Sequence, residues 1–192
     1  MSEQVVARTL GVPAEVNVAV ESSTLEFEHL YASAFPRVYS FIRSQVGSVQ
    51  SAQDVVGQVF LKAYRHHSKA PAGPAAMAWV FRIAHTVLID HWRVEGRRES
   101  ASVSIDDLAA FPAAQASPEA ACAEKERKVL LLSAMGELGH DDRTVLGLKF
   151  TAQQTNREIA AILDLTEGAV SMRLLRALRR LRERVLERGI TS

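Results

Sequence analysis

"TNREIAAILDLTEGAVSMRLLRAL", residues 155–178, carries two helix starts in one short stretch. Thr155 is followed three residues later by Glu158, the spacing at which a hydroxyl and a carboxylate cap each other's backbone N–H. Ile159, Ala160, Ile162 and Leu163 then recur as one apolar face of a short helix. Asp164-Leu165 turns the chain, and Thr166 stands where a second helix needs a side-chain acceptor for its first free N–H groups. A short helix, a tight turn and a second helix form the helix–turn–helix plan, whose second helix lies in the DNA major groove. At about 100° per residue, Val170, Leu174, Ala177, Leu178, Leu181 and Val185 share one stripe of that helix. Gly168, Ala169, Met172, Arg173, Arg176 and Arg179 fall roughly opposite. Small residues at the helix start allow close approach to a groove, and arginines one and two turns later reach base edges or phosphates.

The charge distribution raises the same question. Residues 173–185 hold six arginines, while the whole chain has a formal net charge of only +1. One reading is a solvated helix laced by Arg–Glu pairs such as Glu183–Arg179 and Glu187–Arg184. The other is a surface that meets a polyanion. The capped helix and turn that precede the arginines favour DNA. Arg182, Arg184 and Arg188, further along, read as solvated.

Composition bounds the rest. The 192 residues are 47% hydrophobic, enough to bury a core in one domain or two small ones. No stretch approaches the roughly 18 apolar residues of a membrane span, and residues 1–24 lack the basic start and apolar run of a secretion signal. The single cysteine, Cys122, cannot close an internal disulfide and brings no paired metal ligands. A cytoplasmic protein without membrane insertion is expected.

Residues 1–24 show no sustained period, carry Gly11 and Pro13, and read as a loose leader with room for a short strand or helix of its own. From Phe27 the residues Leu30, Tyr31, Ala34, Val38, Phe41 and Ile42 recur at helical spacing, and Gly47 closes that helix. "SAQD" (51–54) resembles a capping box with Ser51 as N-cap, opening a helix whose apolar face is Val55, Val56, Val59, Phe60, Ala63 and Tyr64. "SKAPAGPAA" (68–76) is a loop, and "MAWVFRIAHTVLIDHWR" (77–93) a helix apolar around much of its circumference, followed by Arg97 and Arg98. Residues 99–120, rich in Ala, Ser and Pro, read as a linker. A helix resumes at residue 119, and three shorter ones follow to residue 188. The expected fold is all-α: two small helical domains, 25–98 and 121–188, joined by a flexible linker.

Nothing in the chain assembles an enzyme. No Gly-rich phosphate loop, no G-x-S-x-G and no H-E-x-x-H occurs. His85 and His91 are six residues apart, on different faces of a helix, so zinc binding is not expected. His66-His67 suits a helix C-terminus, and Asp106-Asp107 and Asp141-Asp142 suit helix starts or loops. No catalytic residue, cofactor or metal site is expected.

Three segments, "SAQDVVGQVFLKAYR", "AWVFRIAHTVLIDHWR" and "TNREIAAILDLTEGAVSMRLLRAL", together resemble the extracytoplasmic-function sigma factors of bacterial RNA polymerase. The resemblance covers about 27–98 (region 2) and 121–186 (region 4). It implies that Asp54, Gln58 and Phe60 dock on the clamp helices of the largest polymerase subunit, with Gln58 standing where Glu is usual. The helix bearing Trp79, Arg82 and Thr86 would open the minus-10 element and hold an extruded base, with Thr86 where Asn is common; Trp79 alternatively belongs to the core. Arg93, Arg97 and Arg98 would touch promoter backbone, adding affinity without reading sequence. Gly168, Ala169, Met172, Arg173, Arg176 and Arg179 would meet the minus-35 element, with Ser171 and Met172 replacing a frequent basic residue and a frequent Ser.

The partners so implied are the RNA polymerase core, promoter DNA and an anti-sigma protein. A stand-alone helix–turn–helix regulator explains 155–186 but gives the helices of 27–98 no task. A pure interaction protein leaves the basic recognition helix unexplained.

Overall fold

The first helix, α1 (Ala14–Arg43), starts well before Phe27, inside the stretch read from sequence as leader. Residues 14–26 contain neither Gly nor Pro, so nothing stops the helix running back toward Pro13. The computed structural model describes residues 14–95, 131 and 133–187. The linker at 99–120, Cys122, Arg97, Arg98 and Arg188 lie outside the described residues. Among those described, all regular structure is helical. Ala34, Val38, Phe41 and Ile42, at three- and four-residue spacing on α1, are fully buried.

α2 (Val49–Arg65) is capped by Ser48, whose Oγ accepts from Ser51 N at 3.0 Å. The cap therefore lies three residues ahead of the expected Ser51. Asp54 is left in the middle of the helix, exposed, accepting from Gln50 Nε2 at 3.2 Å. Ser48-x-x-Ser51 offers a hydroxyl at the right offset just as Ser51-x-x-Asp54 does, and the turn after α1 decides between them. The apolar face of α2 buries Val55, Val56, Val59, Phe60 and Ala63 as expected, with Tyr64 remaining about half exposed.

A 3₁₀ turn (His67–Lys69) and a loop lead to α3 (Ala75–Glu95), the central helix. It buries Val80, Phe81, Ala84, Val87 and Leu88 against α1 and α2, and Phe81 meets Phe41 edge to face at 5.8 Å.

α4 (His140–Leu146) widens at its end into a π-helical turn (Gly147–Thr151), closed by Ala152 N donating to Gly147 O at 2.9 Å. α5 (Asn156–Leu163) and α6 (Glu167–Glu187) complete the chain as described. Val170, Leu174 and Ala177 of α6 are buried on Ile159, Ala160 and Ile162 of α5.

The two modules do not stand apart. One apolar core runs from α1–α3 into α4–α6 without a break. The π-helical turn sits against the end of α1, and α5 lies along α3. Arg37 of α1 reaches across to donate from Nε and Nη2 to Ala152 O, at 3.0 and 2.6 Å. Gln45 and Arg143 exchange side-chain-to-carbonyl bonds at 3.1 and 3.3 Å. The Trp92 ring stacks on His140 with centroids 4.1 Å apart.

Candidate nucleic-acid interface

The helix–turn–helix is built from the local chemistry its sequence specifies. Thr155 Oγ1 accepts from Glu158 N at 3.2 Å while Thr155 N donates to Glu158 Oε2 at 2.7 Å, so the capping box is complete in both directions. Those bonds from Thr155 hold the Glu158 carboxyl below the usual carboxylate range. Asp164 ends α5 in the left-handed region at φ 56°, a conformation that Asp tolerates better than most residues. Two residues on, Thr166 Oγ1 accepts from Ala169 N at 3.2 Å and starts α6.

On α6 the arginines divide into two groups. Arg176, Arg179 and Arg182 are exposed, and among the described residues none has a hydrogen-bond or ion-pair partner. Gly168, Ala169 and Met172 are exposed on the same side. The second group is engaged within the fold. Arg180 pairs with Asp142, a carboxylate whose side chain is only 9% exposed, and Arg184 meets Glu187 at 2.9 Å. Arg173 lies 3.6 Å from Asp141 and is half-buried. Met172, Arg173, Arg176 and Arg180 form one wall of an open cleft whose other wall is Gly139–Asp142.

Lys149 carries no signal in the helical pattern, because it falls where the π-helical turn breaks the period. The structure places its ammonium 2.9 Å from Asn156 Oδ1, and Asn156 Nδ2 donates to Ser171 Oγ of α6 at 3.0 Å. A cation is thereby fixed beside the start of α5, where backbone N–H groups also face outward.

In the N-terminal module, Asp54 and Gln58 share the exposed face of α2 with Gln53 and Gly57. Phe60 is 7% exposed, edge-on beneath Tyr31 with centroids 4.7 Å apart. Tyr31, Phe35, Tyr39, Val56 and Phe60 line a shallow apolar groove beside that face. Trp79 is half-buried and packs on the core. Arg82 is exposed and donates to Ala161 O at the end of α5; the Thr86 hydroxyl donates to Arg82 O at 3.0 Å. Arg93 is exposed near Asp90 at 3.5 Å. The structure therefore does not gather the expected DNA-facing residues into one surface: Arg82 turns toward α5 of the other module and Arg173 toward Asp141 of its own, whereas Arg176 and Arg179 face outward.

The sequence matches the family model for sigma-70 region 2 over residues 30–98 and that for sigma-70 region 4 over residues 134–183. An extracytoplasmic-function (ECF) sigma factor of Mycobacterium tuberculosis, SigL, is 27% identical over 179 residues, covering 93% of this chain and 99% of that protein. The ECF sigma factor SigM of Bacillus subtilis is 27% identical over 175 residues, 88% of this chain and 99% of that one. The chain belongs to the ECF sigma factors. As such it directs promoter-specific transcription by RNA polymerase.

Solved sigma factors share its fold. RpoE from Bartonella quintana, in complex with the anti-sigma factor NepR, superposes with a TM-score of 0.67 at 23% identity over 84% of this chain and 97% of that one. CnrH, bound to the cytosolic domain of CnrY, gives 0.62 at 23% identity over 90% and 96%. Among the described residues of this sigma factor, no helix is long and apolar enough to cross a membrane, and no cluster of potential metal ligands occurs.

Proposed function

We propose that the sigma factor contacts core polymerase through the exposed face of α2 and promoter DNA through α3 and α6. Asp54 and Gln58 meet the clamp helices of the largest polymerase subunit, and buried Phe60 shapes the surface beneath them by supporting Tyr31. Arg82, Thr86 and Arg93, with Arg97 and Arg98 beyond the described residues, hold the opened minus-10 strand. Trp79 braces that helix from the core. Gly168, Ala169, Met172, Arg173, Arg176 and Arg179 enter the minus-35 major groove. Small residues at the start of α6 admit the helix, and the arginines supply bidentate donors for guanine edges or contacts to phosphate.

The observation that carries this reading is the outward face of α6, where Arg176, Arg179 and Arg182 stand, among the described residues, without partners behind a doubly capped helix–turn–helix. Structural arginines in the same helix have found carboxylates; these have not. An anti-sigma protein is a further proposed partner, supported by the two fold relatives, each solved with such a protein or with a companion domain bound.

Run-off transcription with bacterial core polymerase on a library of random promoters tests the reading. Start sites that depend on the chain, and that share two spaced elements, are expected. Tight promoter binding by the free chain, with no core association and no new transcripts, would replace it with a stand-alone regulator.

A further inference from the structure

Ala169, Arg173, Arg176 and Arg180 follow one another at four- and three-residue spacing, so they form a single ridge along α6. The ridge is one wall of the open cleft whose opposite wall is Gly139–Asp142, around the start of α4. The two carboxylates of that opposite wall engage the ridge in different ways. Asp142 is almost wholly buried and is taken up by Arg180, a contact that fastens α6 to α4. Asp141 is 80% exposed, and its Oδ2 stands 3.6 Å from Arg173 Nη1. At that separation the two form an ion pair and not a hydrogen bond. Among the described residues, the Nε–Nη2 edge of Arg173 is therefore left uncontacted.

Fold stability does not account for the Asp141 pair, because an ion pair this exposed contributes little. Beside a helix that meets a polyanion, a carboxylate is also unfavourable by plain Coulomb repulsion. What Asp141 does accomplish is restraint. A free arginine spreads over many rotamers and loses that freedom when it binds. Here the Arg173 side chain is half-buried at its base on the ridge, and the Asp141 charge draws its guanidinium to one place at the cleft mouth. The planar fork is held there with an open edge, as bidentate recognition of guanine O6 and N7 requires. Arg176, next along the ridge, has no such restraint among the described residues.

We propose that Asp141 is a positioning residue for minus-35 recognition: it aims Arg173 at one base pair, so base choice at that position depends on a carboxylate that acts through its neighbour. The inference rests on the minus-35 role of Arg173 proposed above and adds the residue that directs it. Both residues belong to the C-terminal module. Two effects of opposite sign make the role measurable. Removing the carboxylate takes a negative charge from beside the groove, which favours every duplex alike. Removing the restraint lowers discrimination at the single base pair that Arg173 reads.

The test is run-off transcription by core polymerase with the full-length chain, on a promoter recovered from the random library and carrying each base in turn at every minus-35 position. Thermal midpoints of the variants are measured alongside. Arg173→Ala first identifies the position it reads, as the one whose base preference disappears. Asp141→Asn, which keeps the shape of the side chain, and Asp141→Ala should each cut preference at that same position by roughly tenfold. Both should leave the other positions unchanged and transcribe the disfavoured promoters at least as well as wild type. Asp141→Glu should retain the preference, and adding Asp141→Asn to Arg173→Ala should change nothing further at that position. An unchanged profile, an even change across all positions, or a loss that tracks the thermal midpoint overturns the positioning role and leaves the Arg173 contact standing. If Arg173→Ala itself leaves every position unchanged, the minus-35 role of Arg173 has failed, and the positioning role falls with it.

Discussion

Arg176 and Arg180 stand four residues, about one turn, apart on α6, and the fold treats them oppositely. Arg180 neutralises buried Asp142; Arg176 faces solvent without a partner among the described residues. Leaving a buried acceptor without its partner costs about 1–3 kcal/mol, and more when it is charged, which for a chain of this length lowers the melting temperature by several degrees (~2–4 °C per kcal/mol). Arg180→Ala should therefore show a lower thermal midpoint. Arg176→Ala should keep the midpoint but lose promoter affinity by ~1–3 kcal/mol if it pairs with a base edge, or shallow the salt dependence by about one unit if it meets phosphate. Affinity measured across a salt series distinguishes the two. Sequence could not sort these residues. Both are arginines on an arginine-rich helix, and the partner of one lies 38 residues upstream.

Elements bounded by local chemistry were legible. Thr155–Glu158, Asp164 and Thr166 announce α5 and α6 because each cap is completed within four residues of itself. The start of α2 was misread for a related reason: two overlapping patterns satisfy the same rule, and only the path of the chain after Arg43 selects Ser48. Replacing an N-cap hydroxyl by Ala costs ~1 kcal/mol. Ser48→Ala should thus lower stability by about that much, with Ser51→Ala costing less, since Ser51 supplies the backbone N–H that receives the cap. Denaturant melts of the two variants give the comparison directly. The π-helical turn at Gly147–Thr151 had no periodic signature, and Lys149 went unnoticed with it. The early start of α1 escaped because residues 14–26 carry too little apolar pattern to declare a helix.

At the scale of the molecule, the two modules and their order were readable, whereas their docking was not. The bonds that hold the seam join residues about a hundred positions apart, such as Arg37 with Ala152 and Gln45 with Arg143, and no local pattern encodes such a pairing. Gly147, which leaves room for Gln45 and Phe41 at the seam, carries no local signal of that role. Because the core is continuous, Phe81→Ala should weaken both modules together, by ~3–5 kcal/mol, in one unfolding transition rather than two; calorimetry reads the number of transitions.

Stability also carries a pH dependence. Burial holds the His85 ring below the usual imidazole range, with Asp141 opposing and Arg173 reinforcing that shift. Burial likewise lowers His140, reinforced by Arg143 and opposed by Asp141 and Glu95. Both rings thus prefer to be neutral in the folded form and recover a value near ~6.5 when the chain unfolds. The folded form binds fewer protons than the unfolded one, so its advantage is full above that value and shrinks as pH falls through it. Thermal midpoints should fall on acidification from pH 7.5 to 5.5, a slope flattened by His85→Gln with His140→Gln.

Gly147 also limits what this chain can become. Its missing Cβ leaves room for Gln45 Nε2, Ser44 Oγ and Phe41 Cδ2 where α1 meets the π-helical turn, so a graded series at position 147, from Ala to Val to Leu, should lower the thermal midpoint step by step. One absent methyl group thereby ties together the packing of two stretches that the sequence writes about a hundred residues apart.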